Sequence, residues 1–139
     1  MSSCIRCVGG IKMSYNEHLS YDQNGNIITL TRNGDRDSDT SVIAIDNLIY
    51  NYDDKYRLKK VIDFTGNPSG FKEGTYTGDA FDYDDYGNLV EDKNKDITSI
   101  TYNHLNLPKK VVFGNGNDID YLYNALGQKL QKRVRTSST

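Results

Sequence analysis

Three kinds of residue in this chain could do chemistry: clustered acids, one cysteine pair and two histidines. Asp35, Asp37 and Asp39 alternate, with Asp46 at the twelfth place counted from the first. That is the order of oxygen ligands in a calcium-binding loop. Thr40, however, stands where such a loop needs glycine for its sharp turn, so a solvated acidic loop is expected. Asp82-Tyr83-Asp84 begins the same way, but Tyr86 and Lys93 fill its fifth and twelfth places. Cys4 and Cys7 make a single C-x-x-C. A structural zinc site takes four ligands, and no second pair follows at a usable spacing. Gly9-Gly10 argues against the helix that a thioredoxin-type motif requires, leaving two thiols on a frayed N-terminus. His18 and His104 sit beside turn-like segments with no partner at a diagnostic spacing. Nothing matches a nucleophile elbow, and Gly114-Asn115-Gly116 reads as hairpin chemistry, not as a phosphate loop. The expectation is no catalytic residue, no metal and no cofactor.

The elements that carry these residues explain the acids better than catalysis does. Five stretches align on a central tyrosine: LSYDQNGNI, YNYDDKYRL, FDYDDYGNL, ITYNHLNLP and YLYNALGQK. The tyrosines are Tyr21, Tyr52, Tyr83, Tyr102 and Tyr123, at spacings of 31, 31, 19 and 21 residues. An acid or its amide always follows: Asp22, Asp53, Asp84, Asn103 and Asn124. Two places before the tyrosine stands a large apolar residue: Leu19, Tyr50, Phe81, Ile100 and Tyr121. Four places after it come Gly25, Tyr56, Gly87, Asn106 and Gly127.

Each column has a physical reading. Apolar-x-Tyr alternates with period two and puts both side chains on one strand face. Asp or Asn starts a type I turn, its side chain bonding a backbone N–H two residues on. Glycine or asparagine three residues later tolerates a positive φ, as a turn closed by a bulge demands. Tyr56 breaks that column and is expected to be strained or to sit in a different turn. A returning strand follows, with Ile27, Leu58 and Leu89 six after their tyrosines and Leu30, Val61 and Val111 nine after. Pro108 and Lys129 hold the sixth place in the last two repeats, which suggests a slipped register there. One repeat is thus one β-hairpin. Asn33-Gly34 through Thr40 and Gly66 through Gly70 mark longer connecting loops.

Composition agrees. Eleven tyrosines against no tryptophan, and twelve glycines against two prolines, favour strands and turns, and no segment keeps a helical apolar period. The expected fold is all-β, a meander of about ten short strands in an open, twisted or spiralling sheet. Residues 15–134 would form the repeat domain, with 1–14 poorly ordered and 135–139 a disordered tail. Seventeen basic against nineteen acidic residues give a net charge of -2, which speaks against a nucleic-acid partner. No apolar run is long enough for a membrane span or a signal peptide. Lys129, Lys132, Arg133 and Arg135 form a basic tail, read as a solvated strand edge.

As a set, these motifs resemble the bacterial Rhs/YD-repeat family, whose consensus is close to Y-D-x-x-G-R-L. FDYDDYGNLVEDKNKDITSITYNHLNLPKKVVF followed by YLYNALGQKL is especially similar to YD-repeat proteins of Bacteroidetes-type genomes. The resemblance covers most of residues 15–134. It implies a spiralling β-sheet shell, which in the toxin-bearing members encloses a C-terminal effector. It also implies an extracellular or cell-surface location, and carbohydrate binding has been proposed for such repeats. The aspartyl self-cleavage motif of the toxin-bearing members, D-P-x-G, has no match here. About five repeats make an arc of a shell, so a fragment or truncated paralogue of a larger protein is expected. The implied role is a non-catalytic structural segment of a shell or stalk. Its partners would be neighbouring repeats or further copies of itself. A carbohydrate-binding module, or the remnant of a polymorphic toxin without its effector, are the alternatives.

Overall fold

The computed structural model describes residues 15–35 and 41–137. Cys4, Cys7, Asp37, Asp39 and Thr40 therefore lie outside the described residues, as do residues 1–14 of the expected N-terminal segment and the last two of the tail. Among the described residues the chain is all-β, with ten strands and one 3-10 turn, Lys93–Lys95. The strands are β1 (Glu17–Tyr21), β2 (Ile27–Asp35), β3 (Val42–Tyr52), β4 (Leu58–Asp63) and β5 (Phe81–Tyr83). They continue as β6 (Leu89–Asp92), β7 (Ile97–Tyr102), β8 (Pro108–Phe113), β9 (Asp118–Tyr123) and β10 (Lys129–Arg135). Two antiparallel sheets result, ordered β1-β2-β3-β4 and β10-β9-β8-β7-β6-β5, and neither closes into a barrel.

Every central tyrosine ends a strand, and every returning strand begins six residues later. The pairing repeats without change in the four hairpins β1/β2, β5/β6, β7/β8 and β9/β10. Tyr21 pairs with Ile27, Tyr83 with Leu89, Tyr102 with Pro108 and Tyr123 with Lys129, each followed by a one-residue bulge. The slip suggested by Pro108 and Lys129 is therefore absent. The bonds of the turn set the register, and the side chain at the sixth place has no vote in it.

By packing, the chain forms two compact units. One runs to Ile49 and adds Ile62–Phe71; the other takes Tyr50–Val61 and everything from Lys72 onward. In the first unit, Leu30 pairs with Leu48 and Arg32 with Asp46 across β2 and β3. Asp46 is 3% exposed, and its carboxylate accepts from Arg32 Nε at 2.7 Å and from the Phe71 N–H at 2.6 Å. Gly70 makes the second bond possible, because a side chain there would strike the Ile45 carbonyl and the Asp46 carboxylate. Asp46 is thus a buried structural ion, held by a cation and a backbone donor.

In the second unit the ninth-place column forms much of the interior. Val61 and Val111 are buried, and the same place in the third repeat is Asp92, at 2% exposure. Asp92 caps the 3-10 turn, accepting from the N–H groups of Asn94 and Lys95 and pairing with Lys95 Nζ at 2.8 Å. A charged residue can hold a core position here because both its carboxylate oxygens are hydrogen-bonded. Arg135 closes β10, and its guanidinium contacts Asp118 and Asp120. Ser137 donates from its N–H to Asn117 Oδ1 at 2.9 Å, so the chain is bonded beyond that strand.

Candidate functional site

The recurring site is the tyrosine–aspartate turn, and all five copies have one geometry. In each, the residue after the tyrosine donates its N–H to a carbonyl four residues on: Asp22 to Asn26, Asp53 to Arg57, Asp84 to Asn88, Asn103 to Leu107 and Asn124 to Gln128. The fourth-place N–H returns to that residue's own carbonyl, from Gly25, Tyr56, Gly87, Asn106 and Gly127 in turn. The side-chain Oδ1 then accepts two backbone N–H groups. For Asp22 these come from Asn24 and Asn26, both at 2.8 Å. Asp53 takes those of Lys55 and Arg57, and Asp84 those of Tyr86 and Asn88. Asn103 and Asn124 repeat the arrangement with Leu105 and Leu107, and with Leu126 and Gln128. The expected bond two residues on is present in every copy. The second, four residues on, has no sequence signal beyond the turn length itself.

The remaining acid oxygen explains which residue stands fifth. Asp22 and Asp84 accept from the side-chain amides of Asn26 and Asn88, and Asp53 accepts from Arg57 Nε. In the last repeat the polarity inverts, Asn124 Nδ2 donating to Gln128 Oε1 at 2.8 Å, whereas Leu107 gives Asn103 no side-chain partner there. Asp22 is held below the usual carboxylate range chiefly by the Asn26 side-chain amide, and Asp84 likewise by Asn88. For Asp53 the main cause is the Arg57 N–H, with its guanidinium adding to it. Partial burial opposes the shift in all three.

The fourth place needs a left-handed backbone throughout, with φ of 86° at Gly25, 84° at Gly87 and 78° at Gly127. Tyr56 and Asn106 adopt it too, at 60° and 55°. Tyr56 therefore sits strained in the same turn as its counterparts, not in a different one.

The tyrosines do more than pack. Tyr83 donates its hydroxyl to the Leu58 carbonyl at 2.8 Å, Tyr102 to Leu89 at 2.7 Å and Tyr123 to Pro108 at 3.0 Å. Leu58, Leu89 and Pro108 are the sixth-place residues of the preceding repeats. Each hydroxyl thus ties its hairpin to the one before. Burial raises the phenol of Tyr83, against which Lys59 and Arg57 act, and burial with the Asp84 charge raises that of Tyr102. The Arg57 guanidinium lies 5.3 Å from the Tyr83 ring centre. Tyr52 is half-buried, whereas Tyr21 is 58% exposed and its hydroxyl has no hydrogen-bond partner among the described residues.

The residues first considered for chemistry are scattered. Asp35 ends β2, His18 lies in β1 and His104 in the fourth turn. Among the described residues no three His, Cys, Asp or Glu side chains gather as a metal site would require. No helix among them is long and apolar enough to cross a membrane. A cavity of about 310 Å³ in the first unit borders Leu30, Leu48 and Phe71 beside the Arg32–Asp46 pair. Glu17 lines it as well, so it presents a salt-bridged pair and one further carboxylate beside apolar side chains. No protein-family model matches the chain, and no curated protein is significantly similar to it.

Proposed function

We propose that the chain is a non-catalytic structural segment of an exported or cell-surface protein of the Rhs/YD-repeat kind, its hairpins stacking as part of a shell or stalk. The observation that carries this reading is the tyrosine hydroxyl reaching the sixth-place carbonyl of the preceding repeat, made three times over. Residues that define a repeat and join it to its neighbour are what an array needs, since each unit buries its surface only against the next. The spiral of such a shell and its surface location belong to the proposal.

Deleting the final hairpin, residues 118–137, tests it. In a stacked array the remaining hairpins keep their tyrosine ladder, and stability falls by one nearest-neighbour increment. Complete loss of folding on that deletion would defeat the array reading. Proteolysis of intact cells carrying a tagged copy tests the location, with cleavage of the tag expected outside the membrane.

Glycan binding is a second reading, favoured by two exposed rings at turn tips. Tyr56 is 61% and Tyr86 84% exposed. The repeat acids Asp22, Asp53 and Asp84 already hold three donors each, so sugar contacts would fall to the tips. A glycan array with the Tyr56→Ala and Tyr86→Ala variants as controls decides it; no binding by the unaltered chain rejects it.

A further inference from the structure

We infer that the outer edge of β10 takes β1 of a second copy of this chain, in the register that joins the chain's own repeats. This rests on the repeat reading above, and names a partner for the array. Two internal junctions share one register. Across β2 and β3, Thr29, Leu30 and Thr31 face Ile49, Leu48 and Asn47. Across β8 and β9, Lys110, Val111 and Val112 face Asp120, Ile119 and Asp118. In both, the places eight, nine and ten after one tyrosine meet those three, four and five before the next. The β6–β7 junction, interrupted by the 3-10 turn, is offset by one residue, pairing Asp92 with Ile97.

Applied to β10 and β1, that register sets Gln131 against His18, Lys132 against Glu17 and Arg133 against Asn16. At the ninth place the internal pairs match in kind, Leu30 with Leu48 and Val111 with Ile119. Lys132 with Glu17 matches as cation with anion. Charge also runs one way across three of the four internal junctions, the exception being β6–β7, where Asp92 leaves and Lys95 receives. Arg32 of an outgoing strand meets Asp46 at 2.6 Å, Lys59 meets Asp79 at 3.2 Å, and Lys110 meets Asp118 at 3.8 Å. In each the cation leaves and the acid receives. β10 carries Lys132 and Arg133 on its outgoing side, β1 carries Glu17 on its receiving side, and every residue of β10 is exposed. The Tyr21 hydroxyl would then find the Lys129 carbonyl, which occupies the sixth place held by Leu58, Leu89 and Pro108 in the internal bonds.

Charged edge strands ordinarily discourage such pairing. Sedimentation of the full chain over a wide concentration range separates the two. Concentration-dependent association is expected, weakened about tenfold by Lys132→Glu or Glu17→Lys alone and restored when both are combined. Tyr21→Phe should weaken it as well. Hydrogen exchange at the amides of Lys132 and Val134, which face away from β9, should slow as the concentration rises. A monomer at every concentration overturns the proposal, and so does association indifferent to these substitutions. Circular dichroism of each variant establishes that it is folded. A monomer whose stability still depends on Tyr102 would sink this contact and leave the repeat reading standing.

Discussion

Tyr102 and Leu89 are joined by a bond from the phenol hydroxyl of one repeat to the main-chain carbonyl of the one before, 2.7 Å long. The ring lies on a strand end and the carbonyl at the start of the preceding return strand, both partly buried. Tyr102→Phe keeps the ring and leaves that carbonyl without its donor. A loss of about 1 kcal/mol in unfolding free energy is expected. Tyr21→Phe, whose hydroxyl has no such partner, should stay within about 0.5 kcal/mol in dilute solution. Urea titrations of the two variants side by side measure the difference; equal effects would show that the ladder adds nothing.

Tyr56 offers a gain. Its backbone holds a φ of 60°, in a place that Gly25, Gly87 and Gly127 fill without penalty, and its ring is largely exposed. Tyr56→Gly should stabilise the protein by about 0.5–1 kcal/mol, the relief of strain exceeding glycine's entropy loss. Asn106→Gly should give less, because asparagine tolerates this backbone. A fall in melting temperature for Tyr56→Gly would mean that the tip ring supports more than its turn.

The acid limb of stability follows from Asp22, Asp53 and Asp84. Each carboxyl is held lower in the folded chain than in the unfolded one. The unfolded state therefore takes up protons first, and the stabilisation is present above the usual carboxylate pKa near 4 and lost as pH falls through the lower folded values. Asp84→Asn retains an Oδ1 acceptor, as Asn103 and Asn124 do, and should flatten the decline below about pH 4. An unchanged acid limb would place the sensitivity in other carboxyls.

Asp46 is a costly acid to remove. Alanine there would leave Arg32 and the Phe71 N–H facing the space of a buried carboxylate. A loss of about 3 kcal/mol is expected, at the low end for a broken buried pair because Arg32 is itself 41% exposed. Chemical denaturation checks this, and a change under about 1 kcal/mol would mean that water replaces the carboxylate freely.

Much of this was legible in the residues. The hairpin unit, its turn chemistry and the all-β class all follow from columns such as Tyr83, Asp84 and Gly87, because local bonds within a few residues fix them. The places where reading stopped are long-range. Nothing in the chain's order marks Leu58 as the acceptor of Tyr83, 25 residues away, since a carbonyl leaves no trace in residue type. Hydrophobic pattern also misled at Pro108 and Lys129, where the turn and not the side chain sets the register. Asp92 stands in a core column because it caps a 3-10 turn, a role that its residue type alone does not announce.

That the tie between hairpins ends on a carbonyl has a bearing on how such a chain can change. Any residue can supply that acceptor, and leucine and proline both do. A hairpin excised, duplicated or transplanted whole would meet its new neighbour with the same fitting already in place. The loops between tyrosines can then lengthen or shrink, as the intervals of 31, 19 and 21 residues that precede Tyr83, Tyr102 and Tyr123 do, while the joint itself stays the same.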